Sequence, residues 1–204
     1  MHNLAFNYRK ATQAINFFAR RCGGSTTKLI VLKLIYFADR YHLRKYGRPI
    51  TNDHYWAMQF GPVASSVKEI AELDSLSGSE RHYAMAYLRK GARERGEEEY
   101  AVASIADADM TVFSESDIEA LEFAWHEFGD RRRHLVNITH AYPEWLRHKK
   151  TLDAGQSRIR MDLADFFDDP ENPSLPVCWP LTDEERTLAR EAYFELNRVE
   201  QLWR

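Results

Sequence analysis

The chain has 204 residues, a hydrophobic fraction of 44% and a formal net charge of −3 at pH 7. A chain of this size can bury about 70% of its unfolded surface, so it needs no disulfide or metal to form a core. The near balance of charge argues against a whole surface that binds nucleic acid, and the apolar content excludes general disorder.

No segment predicts a secreted or membrane protein. The first residues, Met1–Leu4, lack the basic start and apolar stretch of a signal peptide. The most apolar stretch, 29–38, contains Lys33 and is far shorter than the ~20 residues that span a bilayer. The two cysteines make no disulfide framework, and Cys22 is predicted to be a buried free thiol because it closes an apolar helical face. We therefore expect a cytoplasmic protein with no membrane partner.

The first part of the chain is predicted to be helical. One helix should follow the N-cap Asn7 and end near Arg21. After a Gly-Gly break, Ser25–Thr26 can cap a second helix over 27–46, which is apolar around most of its circumference. This pattern predicts the central helix of the fold, with Asp39 on one of its apolar stripes. A buried carboxylate must be paired or hydrogen-bonded.

A strand over 55–60 is predicted next, closed by the turn Gly61–Pro62, which should open a helix over 63–73. The highly charged segment 89–99 is predicted to be a solvated loop, either a hairpin arm or an insertion. Strands over 100–105 and 110–113 are predicted to form a small hairpin.

Later helices are indicated by capping residues. A helix should begin at Ser114 and end at Gly129, and a further helix should continue to about His140. A short helix over 161–167 precedes a proline-rich stretch, and Thr182 begins a final helix that runs nearly to the C-terminus. That helix has a narrow apolar face made of Leu188, Ala192, Leu196, Val199 and Trp203.

These elements predict a mainly α (α+β) fold. We expect a compact helical domain over 1–149, built around the buried central helix with a small antiparallel sheet or hairpin. We expect residues 150–204 to form a C-terminal helical extension packed on that domain.

No group of residues predicts catalysis or a cofactor. The histidines around 134–148 lack the spacing of metal ligands, and neither cysteine lies in a nucleophile motif. The Gly23–Gly24 pair lacks the length and the lysine of a phosphate-binding loop. We therefore expect no enzyme, no metal and no cofactor.

Charge is unevenly distributed in the second half of the chain. Residues 131–160 carry eight Arg or Lys against two acids, whereas residues 161–191 carry nine Asp or Glu against two Arg. The two segments could neutralise each other within the fold, or they could form a polarised surface that orients a charged partner. Nucleic-acid binding by the basic segment alone is disfavoured because the neighbouring acids would repel phosphates.

The sequence resembles the signature of the Panacea domain, which is also found in SocA-type antitoxins and phage-associated proteins. The matching blocks are KLIYFAD at 33–39, YHL at 41–43, YGRPIT at 46–51, Ala57, and FGPV at 60–63. A second, weaker match comprises Leu135, Thr139–His140 and Trp145, with Pro143 one place earlier than the family pattern has it. The resemblance covers about residues 8–146.

This resemblance implies a mainly helical fold with a small sheet and a binding function. Panacea antitoxins neutralise toxins of several unrelated classes by direct contact, and SocA-like members can also deliver a toxin to a protease. The implied partner is a cognate protein toxin encoded by the adjacent gene, with a protease as a further candidate. The alternative function is a nucleic-acid-associated regulator that uses residues 131–160.

For each motif residue, a framework role competes with direct contact to a partner. A scaffold that meets unrelated toxins needs a variable surface, and the extension outside the resemblance could supply it. Its tryptophans are of a residue type that often dominates binding energy. Its final helix could equally complete the core. The candidate partner-binding or motif residues are Tyr36, Asp39, Tyr55, Phe60, Gly61, Pro62, His140, Trp145, Trp179 and Trp203.

Overall fold

The computed structural model describes residues 5–93 and 100–202. The helices are α1 (Tyr8–Arg21), α2 (Lys28–Tyr46), α3 (Ser65–Glu72), α4 (Gly78–Tyr87), α5 (Glu115–Phe128), α6 (Leu135–Thr139), α7 (Pro143–Leu146), α8 (Lys149–Asp153) and α9 (Asp183–Leu202). Short 3₁₀ helices cover Met110–Val112, Gly129–His134 and Leu163–Phe167. The strands are β1 (Ser25–Thr27), β2 (Tyr55–Met58), β3 (Gly61–Ala64), β4 (Leu88–Arg93), β5 (Tyr100–Ser104) and β6 (Arg158–Arg160).

Helix α2 is the centre of the fold, as its apolar pattern predicts. Every residue from 31 to 44 is buried. Thr27 caps its first turn by accepting a hydrogen bond from the Ile30 amide, and Gly47 ends it in the left-handed conformation. Phe37 stacks on Phe128 of α5 with ring centroids 3.6 Å apart. The prediction of a buried central helix is confirmed.

Two small antiparallel sheets lie around the helices. One has the strand order β1-β5-β4 and the other β3-β2-β6. In the second sheet, Trp56 of β2 lies opposite Val63 of β3 on one side and opposite Arg160 of β6 on the other. The predicted mainly α (α+β) fold is confirmed. No helix in the described part of the chain is both long and apolar enough to cross a membrane.

The helix predicted to open at Gly61–Pro62 is wrong in its start. Residues Gly61–Ala64 form β3, and α3 begins only at Ser65. Pro62 lies opposite Ala57, and the neighbouring pair, Met58 and Gly61, is the one joined by backbone hydrogen bonds. Proline is tolerated at position 62 because no hydrogen bond between β2 and β3 needs its missing N–H.

The predicted hairpin over 100–113 is also wrong. Residues Met110–Val112 form a 3₁₀ helix because the Asp109 side chain accepts from the Thr111 amide and starts a local turn. Strand β5 pairs instead with β1 and β4. The charged segment is not a loop at its start, because residues 88–93 form strand β4, an arm of the β4–β5 hairpin. The solvated-loop prediction is therefore wrong for residues 89–93 and the hairpin-arm interpretation is confirmed there, while residues 94–99 lie outside the described residues.

Smaller differences have local causes. Ser25 belongs to β1 rather than to a cap, and the helix predicted through His140 is broken into a 3₁₀ helix and α6. Helix α4 was not predicted, although Ser77 and Glu80 form its capping box. Cys22 is free but only partly buried, because it lies just beyond the last turn of α1.

The segment between β6 and α9 packs against the same core as α2. Met161, Phe166, Phe167 and Cys178 are buried in the main hydrophobic cluster, and β6 extends the sheet of β2. We therefore propose that the extension over 150–204 is packed on the domain over 1–149.

Candidate functional site

Asp39 is fully buried between α2 and the segment that leads into β2. Its carboxylate accepts hydrogen bonds from the amides of Ile50 (2.7 Å) and Thr51 (3.2 Å) and from the hydroxyls of Thr51 and Tyr55 (both 2.7 Å). Burial raises the pKa of Asp39 to about 6, against the opposing effect of the hydrogen bonds from Thr51 and Tyr55. These contacts favour a framework role for Asp39 and Tyr55.

Replacing Asp39 with Ala is expected to lower the free energy of unfolding by about 1–3 kcal/mol or more, because buried donors lose their acceptor. Urea unfolding at pH 7 measures the change. The control Asp39→Asn should lose less, since one oxygen remains to accept from the amides and both hydroxyls can accept from the new NH₂ group. An unchanged midpoint with lost partner binding would make Asp39 a contact residue instead.

Gly61 and Pro62 lie buried against α2 and α6. Gly61 has φ +94°, and a Cβ at this position would lie 2.5 Å from Thr139 Oγ1 and 2.9 Å from Lys33 Nζ. Lys33 is fully buried, and its Nζ donates to the Pro62 carbonyl at 2.7 Å. Both the backbone conformation and the close packing therefore require glycine at position 61.

His140 and Trp145 cover the β2–β3 hairpin. Their rings stack with centroids 3.7 Å apart, and Trp145 Nε1 donates to the Met58 carbonyl at 2.9 Å. Burial, helped by the charge of Lys33, lowers the pKa of His140 to about 4, so this histidine is neutral at pH 7. Phe60, at the hairpin tip, is 61% exposed. Of this group, Phe60 is the residue placed to reach a partner.

Replacing Lys33 with Met is expected to stabilise the protein at neutral and lower pH. Burial lowers the pKa of Lys33 from 10.5 to about 7, so between these values the unfolded chain holds a proton that the folded chain releases. The cost of Lys33 is thus complete below about pH 7 and disappears above about pH 10.5.

The Lys33→Met variant should therefore gain a few kcal/mol at pH 6, less about 1 kcal/mol for the lost hydrogen bond to Pro62. The gain should shrink steadily as the pH rises toward 10. Urea unfolding of both proteins at one-unit steps from pH 6 to pH 10 measures it. A difference that does not change with pH would contradict the prediction.

A second buried polar cluster joins α2 to α7. Glu144 is fully buried, and one of its oxygens accepts hydrogen bonds from the Tyr36 hydroxyl and from Arg40 Nε, the latter at 2.7 Å. Burial and the adjacent Glu144 raise the pKa of the Tyr36 hydroxyl well above its usual range. Tyr36 therefore remains a neutral donor inside the core.

Two arginines one turn apart on α2 hold the C-terminal segment in place. Arg40 donates to the carbonyls of Asp168 and Val177, the latter at 2.6 Å. Arg44 donates to the carbonyls of Phe167 (2.5 Å) and Trp179 (2.8 Å), and it pairs with the Asp169 carboxylate at 2.6 Å. Neither role is predicted from the sequence, because arginines on a helix usually extend toward solvent. Their position on a helix predicted to be buried all round was the available signal.

Trp179 lies where this segment leaves the core, and 37% of its surface is exposed. Its ring contacts that of Tyr41 at a centroid distance of 5.9 Å, and Lys45 Nζ lies 4.1 Å from its centroid. Trp179 therefore presents one partly open aromatic surface beside a lysine.

Helix α9 packs along one face on the preceding segment, residues 163–169. Arg186 and Arg190 pair with Asp169 and Asp168, and the Tyr193 ring lies 6.2 Å from that of Phe167. The apolar face predicted from the sequence lies on another side of the helix and is exposed. The exposed fractions are 57% for Leu188, 50% for Leu196 and 42% for Val199, and Ala192 is exposed as well. We name Leu188, Ala192, Leu196 and Val199 the α9 stripe. Trp203, which would continue it, lies outside the described residues.

The acidic segment is neutralised mainly by arginines of α2 and α9. Within the described residues, Arg147 is the side chain of the basic segment 131–160 that pairs with it, through Asp165 and Asp168. The two charged segments therefore do not simply neutralise each other.

The described residues contain no group of three or more His, Cys, Asp or Glu side chains placed to hold a metal ion.

A family model for the SocA-like antitoxin, Panacea domain, matches residues 31–146, more than half of the chain. The match runs from the start of the buried part of α2 to the end of α7, and it contains both buried clusters. The chain belongs to the SocA-like Panacea antitoxin family. Comparisons with curated proteins and with solved structures gave no match.

The Panacea match assigns the protein an antitoxin role in general terms and suggests a non-catalytic one. Helix α1, which the resemblance was expected to include, lies outside the match, as does everything after α7. Six of the ten candidate residues (Tyr36, Asp39, Tyr55, Gly61, Pro62 and Trp145) are buried inside the Panacea region. The α9 stripe and Trp179 lie beyond it.

Proposed function

We propose that the protein neutralises a cognate protein toxin by direct binding and that α9 provides the main contact surface. The α9 stripe carries this proposal. Its members are spaced by four, four and three residues, which places them along one side of a helix. An exposed apolar row of this kind is suited to the groove of a protein partner.

The charge around the stripe defines the partner further. Helix α9 begins with Asp183, Glu184 and Glu185, and Glu191 and Glu195 follow along its exposed surface. The two arginines in its first half pair with Asp169 and Asp168, and Arg198 in its second half pairs with Glu195. The exposed charge beside the stripe is therefore mainly negative, and it fits a toxin whose apolar groove has a basic rim.

Expression in a host cell tests this function. The product of the adjacent reading frame should stop growth when expressed alone, and co-expression of the full chain should restore growth. The two proteins should also purify together as a complex. A harmless neighbour, or rescue without any complex, would overturn the proposal.

The same cells separate two ways of neutralising the toxin. If the antitoxin acts by occlusion, the amount of toxin per cell stays unchanged during rescue. If it acts as an adaptor for a protease, the amount of toxin falls, and deletion of that protease restores toxicity. We propose that the protein acts by occlusion, because α9 already offers a contact surface without a third protein. We propose that this takes place in the cytoplasm.

A nucleic-acid-associated regulator is the second candidate. Arg131 and Arg133 are exposed on the 3₁₀ helix that follows α5, and Arg132 lies over the Trp125 ring at 5.5 Å. If these residues bind phosphates, affinity for DNA or RNA should fall steeply as salt is raised, and Arg131→Ala should reduce the slope. If the protein does not bind DNA or RNA at about 0.15 M salt, toxin binding is left as the function.

A further inference from the structure

The β3-β2-β6 sheet has one buried face and one face toward solvent. Tyr55 is fully buried, whereas Trp56, next along β2, is partly exposed on the other face. The exposed Arg158 and Arg160 of β6 share this outer face, and their guanidinium carbons lie 4.8 Å and 5.7 Å from the centre of the Trp56 ring. Among the described residues, neither guanidinium forms a salt bridge with a carboxylate, and Arg160 Nη2 donates to Nδ1 of His54 at 2.7 Å. The outer face is therefore a local positive surface on a chain of net negative charge.

Strand β6 is also an edge strand of this sheet within the described residues. The Met161 amide donates to the Tyr55 carbonyl at 3.0 Å, so in the antiparallel register Ile159 is the β6 residue that bonds with β2. The backbone groups of Arg158 and Arg160, on either side of Ile159, point the opposite way, away from β2. The N–H groups of both arginines and the carbonyl of Arg160 thus lie along the outer edge.

We propose that β6 binds an extended acidic segment of a protein partner, which adds to the sheet as a further strand. Main-chain hydrogen bonds to the outer edge of Arg158 and Arg160 would supply affinity. Acidic side chains at alternate positions of the added strand lie on one face, so they can meet both guanidinium groups. Stacking on Trp56 orients each guanidinium. The N–H groups of Arg158, and those of Arg160 that do not bind His54, remain available to a carboxylate.

The same geometry disfavours single-stranded nucleic acid as the occupant. Nucleic acid of this kind is held chiefly by bases that stack on aromatic rings. Here the Trp56 ring is already covered by two arginines. This binding site uses no residue of α9, so it does not depend on the proposed toxin contact.

The test uses the full chain and a fluorescently labelled eight-residue peptide of alternating Glu and Val, with binding followed by fluorescence anisotropy. A Lys-Val peptide of the same length and a single-stranded DNA of about ten nucleotides are the controls for charge and class of partner. The Glu-Val peptide should bind at least tenfold more tightly than either control. Tighter binding of the DNA, or equal binding of the two peptides, would overturn the proposal.

Two substitutions at one position separate the edge from the charge. Arg160→Ala and Arg160→Pro both remove the guanidinium, but only proline also removes the outward N–H, and neither breaks a bond to β2. We expect the proline variant to bind the Glu-Val peptide at least threefold more weakly than the alanine variant. Equal affinities would overturn strand addition.

Amide hydrogen exchange on the unmodified chain keeps the test decisive if the proline variant does not fold. Addition of the Glu-Val peptide should slow exchange of the Arg158 and Arg160 amides at least tenfold and leave the Ile159 amide unchanged. Protection of none of these amides at saturating peptide would exclude pairing at this edge.

Discussion

Glu144→Ala is expected to lower the free energy of unfolding by about 3–5 kcal/mol, because it leaves Arg40 as a buried charge without its carboxylate. Tyr36 loses an acceptor at the same time, since its hydroxyl donates to the same oxygen of Glu144. Urea unfolding at pH 7 gives the change directly. Glu144→Gln, which keeps the shape and one acceptor oxygen, is the matched control and should lose less.

The double variant Arg40→Met with Glu144→Met sharpens this prediction. Replacing both members of a buried ion pair with apolar residues often costs little. Arg40 also holds the carbonyls of Asp168 and Val177, however, so the double variant should still release this segment. We expect faster proteolysis within 168–179 even where global stability is largely restored. A Glu144→Ala protein as stable as the unmodified chain would show that the pair does not carry the core.

Substitution of Leu188 and Leu196 by Glu is expected to abolish toxin neutralisation and weaken toxin binding at least a hundredfold. Both side chains are at least half exposed, so the stability of the antitoxin itself should change by no more than about 0.5 kcal/mol. Growth rescue and the affinity for the purified toxin measure the effect. Full rescue by this double variant would remove the α9 stripe from the interface.

Phe194→Glu is the control for that experiment. Phe194 is 52% exposed, and it lies about 120° round the helix from Leu188 at 3.6 residues per turn. It should therefore retain rescue. Truncation before Thr182 gives an independent result: we expect a folded domain by circular dichroism that no longer protects. An aggregated truncate would show that α9 belongs to the core, and a folded truncate that rescues would place the interface in the Panacea part.

Some helices could be predicted from the sequence alone, because the residues that start them lie next to each other in the chain. Helices α1, α5 and α9 start where the sequence predicts, at the caps Asn7, Ser114 and Thr182. Each cap binds an amide only three residues further along the chain, so the signal lies within a short stretch of sequence. The all-round apolar pattern of α2 was likewise sufficient to place it at the centre. The first block of the Panacea signature, KLIYFAD at 33–39, lies on this helix.

Strand partners were decided by the tertiary structure. Gly61–Ala64 becomes a strand because β2 pairs with it, and the segment 110–113 fails to become one because β5 finds its partners in β1 and β4. Strand β1 lies more than 70 residues before β5, so no short window of sequence contains both partners. Strands β2 and β3 are neighbours in the chain, but the Gly61–Pro62 pair between them is also typical of the turn before a helix.

The candidate site divides in the same way. The buried roles of Arg40 and Arg44 depend on carbonyls more than 120 residues away, which exist as acceptors only once the C-terminal segment has folded onto α2. The apolar stripe of α9 is visible in the sequence, but a stripe of this kind is equally suited to the core and to a partner. Its exposure follows from Arg186, Arg190 and Tyr193, which bind another face of the helix to residues 167–169 and leave the stripe in solvent.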